Sequence, residues 1–349
     1  MRADLVLEGG GVKGIGLVGA LSVLEERGYR IERVAGTSAG AIVGALVAAQ
    51  YSAAELKSLM ETLDYTRFRD TGLLDRVPVV GKMLSLLVEK GMYEGNYLKS
   101  WLHERLVDKG VRTFGDLKRN DPGSSLPAAH QYALVVIASD ISRGRLCRLP
   151  WDYHLYDTPG GADGTAVVDA VRASTSIPFF YEPVNLPARG GEKSWLVDGG
   201  MLSNFPVNTF DRRSGERPRW PTFGIKLSAR PLEPQGVAHR VQGALSMVQA
   251  MVATMTGFHD QIHLDDPATL DRTIFVDTTG VRGTDFDIDR ATQQWLFDNG
   301  RRAAEQFFAG NEEHPAWDWE SYLSAHRLAA PRSSDGPSPE GDPDSARRP

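Results

Sequence analysis

Two glycine-rich strings, the first behind a short apolar run and the second behind a short strand candidate, restrict the fold of this chain more than anything else in it. Leu5-Val6-Leu7 leads into Gly9-Gly10-Gly11-Val12-Lys13-Gly14, and Ile31 to Ala35 leads into Gly36-Thr37-Ser38-Ala39-Gly40. A short apolar run closed by glycine predicts a buried strand. Behind each string the spacing turns helical, first as Ile15, Val18, Leu21 and Leu24 up to Gly28, then from Ala39 to Gln50, where small residues allow close approach to a sheet. Two such units within the first fifty residues predict a parallel sheet with helices on its faces.

Further along, Ser52 to Leu106 reads as mainly helical, with an unusually apolar stretch, Leu73 to Val88, broken by Pro78 and Gly81. Tyr132 to Ala138 predicts a buried strand, continued as a hairpin through Arg143-Gly144-Arg145 to Leu149. Asp152 to Thr165 is turn-rich, and Val167 to Ser174 resumes a helix. Thr222 to Leu227 and Thr273 to Val276 are further strand candidates. His239 to Phe258 between them predicts a helix with Leu245, Val248, Met251, Val252 and Met255 along one side. After Ala330 the composition shifts to mainly Pro, Ser, Asp, Gly and Arg without aromatics, which cannot offset the entropy of ordering.

Composition narrows the function. The net charge is -6 and no Lys/Arg block is present, which argues against a nucleic-acid partner. One cysteine, Cys147, cannot pair within the chain and points to a reducing, cytoplasmic compartment. The longest uncharged apolar stretch, Ala39 to Ala49, is well short of the roughly 20 residues that span a bilayer, so any membrane contact is expected to be peripheral.

A G-x-S-x-G string between strand and helix forces its serine into a sharp turn with the hydroxyl projecting outward, so Ser38 is a candidate nucleophile flanked by Gly36, Thr37, Ala39 and Gly40. The other reading is a tight turn with Ser38 as a helix cap. Gly9 to Gly14 also fits G-x-G-x-x-G, a dinucleotide fingerprint for which Glu32 would be the ribose contact. Glu32 lies near the start of its strand, however, and Gly36-Thr37-Ser38 holds the end, which favours acyl chemistry. Three consecutive glycines can turn backbone N–H groups toward an oxyanion, each worth about 3 kcal/mol in the transition state. Lys13 either steadies that loop, favours anionic head groups, or is a solvated surface lysine. Asp198-Gly199-Gly200 follows the apolar run Trp195-Leu196-Val197, which places a carboxylate at a strand end, at the rim where parallel sheets assemble their sites. Ionised at neutral pH, Asp198 could take the serine proton as attack proceeds. It also fits an ordinary Asp-Gly turn.

Taken together, the three strings resemble the patatin-like phospholipases. Ala173-Ser174-Thr175-Ser176-Ile177-Pro178-Phe179-Phe180, Asn204-Phe205-Pro206, Phe275-Val276-Asp277-Thr278 and Asp285-Phe286 extend the similarity from Leu5 to about Ile288. The resemblance implies a three-layer α/β/α fold around a mostly parallel sheet, as one domain over 1–328; the apolar stretches within 70–100 and 239–263 are candidate lid or cap segments, and composition makes 329–349 a disordered tail. It implies a lipid acyl hydrolase with Ser38 as nucleophile, Asp198 as base, an oxyanion hole within Gly9, Gly10, Gly11, Val12, Lys13 and Gly14, and neither metal nor cofactor. Phospholipid or another acyl lipid is the implied substrate. Two alternatives carry over: a lipid-binding or regulatory protein with little turnover, and the dinucleotide binder. A histidine of a triad, if present, would be His239, His259 or His263. An acyl groove is expected from Leu73 to Val88 and from the face carrying Leu245, Met251 and Met255, the other reading being that both pack inside the fold.

Overall fold

The computed structural model describes residues 1–68, 95–178, 180–212, 217–228, 266–312 and 314–327. Most of the lid segment 70–100, the segment 239–263 with His239, His259 and His263, and the tail 329–349 lie outside the described residues.

An eight-stranded sheet organises the chain. Its strands are β1 (Arg2–Leu7), β2 (Arg30–Thr37), β3 (Leu134–Asp140), β4 (Arg145–Leu149), β5 (Val184–Pro187), β6 (Lys193–Asp198), β7 (Thr222–Lys226) and β8 (Thr273–Phe275). The order is β5-β6-β3-β2-β1-β7-β8, with β4 also paired to β3. From β8 through β7, β1 and β2 to β3 every pairing is parallel, as the two leading strand–loop–helix units require. β4, β5 and β6 add antiparallel pairings.

Strand alternation divides the core in two. Leu5, Leu7, Val34, Leu134, Val136, Phe223 and Ile225 enter the large apolar cluster, whereas Val6, Ala35, Val135 and Ile137 face the other way, onto Phe205, Val207 and Phe210. The large cluster is roofed by α1 (Gly14–Glu26), α2 (Ala39–Ala48), α3 (Ala53–Thr62), α4 (Asn96–Asp108), α5 (Val167–Ser174) and α6 (Arg290–Ala309). A last helix, α7 (Trp319–Arg327), lines a cavity with Asp4, Arg33, Phe210 and Arg272 at the start of the second face. The architecture is thus a mixed, mostly parallel sheet with flanking helices.

Two features depart from the sequence reading. β5, α6 and α7 were not expected. Asp198 does end a strand, but β6 runs antiparallel to β3, so this end is not the rim of a parallel strand. The registers show how it still reaches the site. β2 pairs with Leu134 to Ile137 and β6 with Ala138 to Asp140, while β4 occupies the opposite edge over Val136 to Asp140. β2 and β6 therefore share one edge of β3 and run toward each other along it.

Candidate active site

Ser38 and Asp198 meet where those two strands end. Thr37 stops beside Ile137 and Asp198 beside Ala138, one residue further along β3. Ser38 then adopts φ 51° and ψ -120°, a left-handed conformation that a side-chain-bearing residue takes only under constraint, at roughly 1–3 kcal/mol. Its neighbours explain how the turn closes. A Cβ on Gly36 would lie 2.1 Å from the Gly40 carbonyl oxygen, and one on Gly40 would lie 2.3 Å from that of Leu7. Ser38 stands at the N-cap position of α2 and its carbonyl accepts the N–H groups of Ala41 and Ile42, but its side chain makes no capping bond, so the hydroxyl is not used as a helix cap. Both Ser38 and Asp198 are buried.

Burial pushes the Asp198 carboxyl up to about 6, with the hydroxyl of Ser38 and the N–H of Gly200, which both donate to it, holding it from rising further. The Gly200 bond is 2.8 Å. Asp198 is therefore both the head of an Asp-Gly turn and the carboxylate facing Ser38.

The glycine loop covers this pair from β1. Gly11 takes φ 57°, and its Cα packs so closely on Gly283 that a Cβ would fall 1.9 Å from the Gly283 oxygen. Most loop N–H groups are already committed: Gly9 to Asn204 O at 3.4 Å, Val12 to Gly283 O at 3.0 Å, Lys13 to Gly10 O at 3.2 Å, and Gly14 to Gly11 O. Gly9, Val12, Lys13 and Gly14 are thereby removed from the expected oxyanion donors, because each N–H is held by a backbone carbonyl, in the loop itself for Lys13 and Gly14 and in distant segments for Gly9 and Val12. Among the described residues Gly10 and Gly11 donate to nothing, and neither do Ala39 and Gly40 at the start of α2. Lys13 is half-buried; burial lowers its pKa, while Glu8 and Asp285 raise it and Lys226 lowers it further. It is not a freely solvated surface lysine. Glu8 itself is buried in an ion pair with Lys226 and accepts the Leu227 N–H, which ties the end of β1 to β7.

Asn204 is a site residue to which the sequence reading gave no role. Its side-chain amide donates to Gly9 O at 3.2 Å, and its Oδ1 lies where a Cβ on Gly9 or Gly200 would intrude. It joins the glycine loop to the aspartate turn. Asn-Phe-Pro is visible in the sequence, but nothing local reveals what the amide touches.

An apolar cavity opens beside Ser38, walled by Ile42, Met60, Leu98, Trp101, Tyr181 and Phe286. These come from α2, α3, α4, the loop between α5 and β5, and the loop before α6. The two segments expected to supply the groove lie outside the described residues. Cys147 is buried against Tyr156, and burial pushes its thiol up to about 11, so it is no rival nucleophile at neutral pH. Glu32 rules out the dinucleotide geometry. It falls in a bulge near the start of β2, at the far end from Gly9, where it pairs with Arg119.

The family model described as Patatin-like phospholipase matches residues 5–211, which span both strings and Asp198. The chain belongs to the patatin-like phospholipase family. It is 36% identical over 307 residues to the uncharacterized protein YqhO of Bacillus subtilis, an alignment covering 88% of this chain and 98% of the relative. It is also 47% identical over 205 residues to human patatin-like phospholipase domain-containing protein 6, covering 58% of this chain and 12% of that much longer protein. Among solved structures, VipD from Legionella pneumophila superposes with a TM-score of 0.48 at 17% identity, covering 94% of this chain and 74% of that one. Membership in the patatin-like family supports lipid acyl hydrolysis as the general activity. Among the described residues no helix is long and apolar enough to cross a membrane.

Proposed function

We propose that the chain is a serine esterase of the phospholipase A or lysophospholipase type, hydrolysing fatty-acyl esters through an acyl-enzyme on Ser38 with Asp198 as the base. The observation that carries this reading is the head-to-head meeting of β2 and β6, which sets a strained serine against a buried carboxylate beside an apolar cavity. With a carboxyl near 6, Asp198 is ionised at neutral pH yet basic enough to take the Ser38 proton as Oγ attacks the ester carbonyl. The N–H groups of Gly10 and Gly11, uncommitted within the loop, are the candidates for the oxyanion, with those of Ala39 and Gly40 at the positive end of α2. Collapse of the tetrahedral intermediate expels the alcohol, which takes the proton from Asp198. Water, deprotonated by the same carboxylate, then releases the fatty acid and restores Ser38.

The acyl chain would lie against Ile42, Trp101 and Phe286, and the lipid would be met at a membrane surface by peripheral contact from the cytoplasm. One relative carries the name lysophospholipase NTE1, at 49% identity over 204 residues, so a lysophospholipid is the first substrate to offer. Release of fatty acid from that lipid and from a p-nitrophenyl ester tests the reading: Ser38→Ala and Asp198→Asn should each abolish it. Full activity in either variant would end the dyad assignment. A fluorophosphonate separates an enzyme from a lipid-binding protein, since only the enzyme reacts at Ser38.

A further inference from the structure

Ser174 is wholly buried at the last turn of α5, and it reaches out of its helix to the nucleophile's backbone. Its Oγ accepts the Ser38 N–H at 2.9 Å and donates to Ile137 O at 2.5 Å. Two residues later the Ser176 carbonyl accepts the Asp198 N–H at 2.8 Å. We propose that the turn Ser174-Thr175-Ser176 is the positioning element that fixes Ser38 relative to Asp198, with the Ser174 hydroxyl as its side-chain component. The proposal rests on the dyad reading above.

Three observations support it. First, the neighbouring hydroxyls behave ordinarily for a helix end: Thr175 Oγ1 donates to Val171 O and Arg172 O, and Ser176 Oγ to Arg172 O. Ser174 departs from that habit and turns to the sheet. Second, the β2–β3 ladder ends at the Thr37–Ile137 pair, so the N–H of Ser38 leaves the ladder in a buried place where it must find another acceptor. The Ser174 hydroxyl is inserted between that N–H and Ile137 O, holding β2 away from β3 at the residue where the elbow begins. Gly199 occupies the neighbouring space; a Cβ there would lie 2.4 Å from Ile137 O and 3.0 Å from Thr37 Cγ2. Third, the turn is itself anchored, because buried Arg172 donates to Ser176 Oγ at 2.6 Å and to Glu182 O at 3.1 Å. One short segment thus holds the backbone of both dyad members while touching no reacting atom.

A positioning error of about 1 Å costs on the order of a hundredfold in rate. The test compares Ser174→Ala, Ser174→Val and Ser174→Thr for kcat and KM on a soluble p-nitrophenyl ester, for the rate of Ser38 labelling by a fluorophosphonate, and for thermal unfolding. Alanine and valine should lower kcat and labelling about a hundredfold with KM within about threefold, while threonine, which matches valine in shape but keeps a hydroxyl, recovers most of the loss. Wild-type labelling in a folded alanine variant, or equal rates in valine and threonine, would overturn the proposal. Should alanine fail to fold, the valine and threonine pair decides by the same rates; should valine also fail, Ser174→Cys against threonine does. Activity that survives Ser38→Ala sinks the dyad itself, whereas wild-type labelling in Ser174→Val sinks only the positioning role.

Discussion

Ser38 and Asp198 stand at the facing ends of two strands that run toward each other along a single edge of β3. Each strand ends where the other's functional residue begins. The separation of the pair is therefore set by pairing registers and not by the reach of a long side chain, which suits a dyad of two short ones. Ser38 sits at φ 51° as a result. Replacing it with glycine relieves that strain and replacing it with alanine does not. Ser38→Gly should be the more stable of two inactive variants by about 1 kcal/mol, read as a difference in urea midpoint at equal m-value.

The raised carboxyl of Asp198 makes a signed prediction for pH. In the proposed role of base Asp198 would work only when ionised, so kcat/KM should fall through an inflection near pH 6 as pH is lowered, and Ser38 labelling should fall with it. Stability moves the other way. Because the folded chain binds this proton more tightly than the unfolded chain does, ionisation costs stability as pH rises from 3.8 through about 6, by about 3 kcal/mol when complete. Asp198→Asn should accordingly exceed the wild type in stability at pH 7.5 and lose that advantage below pH 4. Denaturation at the two pH values measures it.

Gly40 and Gly11 are bound to their places by backbone contacts that no rotamer change can relieve. Gly40→Ala would set a Cβ 2.3 Å from Leu7 O and 2.7 Å from Glu8 O, and Gly11→Ala would add a clash with Gly283 to an unfavourable φ. Each should cost about 3 kcal/mol or prevent folding. A control is available in Gly28→Ala, where a Cβ meets nothing within 4 Å and only the positive φ opposes it; its loss should be near 1 kcal/mol by thermal melting.

Ile42 projects from α2 into the apolar cavity beside Ser38. Ile42→Trp would fill space that the acyl chain is proposed to take. Esters of long fatty acids should lose about tenfold or more in kcat/KM while an acetyl ester changes little, which a chain-length series of p-nitrophenyl esters would show.

How much of this was legible beforehand depends on whether a residue's job is local. Gly36, Ser38 and Gly40 announce themselves because the elbow excludes a Cβ from the chain on either side, and Val167–Ser174 and Thr222–Lys226 follow from short-range pattern. The identity of Asp198 was readable, but its route was not. A strand's direction is decided by its partner, and β6 pairs with Ala138 to Asp140 far away in sequence. The glycine loop was readable as a loop, yet only Gly283 and Asn204, brought in from distant segments, reveal which of its N–H groups remain uncommitted. Helix α6 carried a signal in Leu296, Phe297, Ala304 and Phe308, with Asp289 capping Thr292, but the buried Asn299 and Gly300 blur its apolar face. Ser174 is the extreme case: a polar residue in a helix whose partners, the Ser38 N–H and the Ile137 carbonyl, lie far away in sequence.

Intact-protein mass analysis of fluorophosphonate labelling tests the central claim most directly, followed over time at pH 7.5 in the wild type, Ser38→Ala and Asp198→Asn. A Ser38–Asp198 dyad predicts a single adduct on Ser38 in the wild type, none in Ser38→Ala, and formation slowed by a hundredfold or more, about 10²–10⁴, in Asp198→Asn. An adduct on another residue, or one that forms at the wild-type rate in Asp198→Asn, would contradict it.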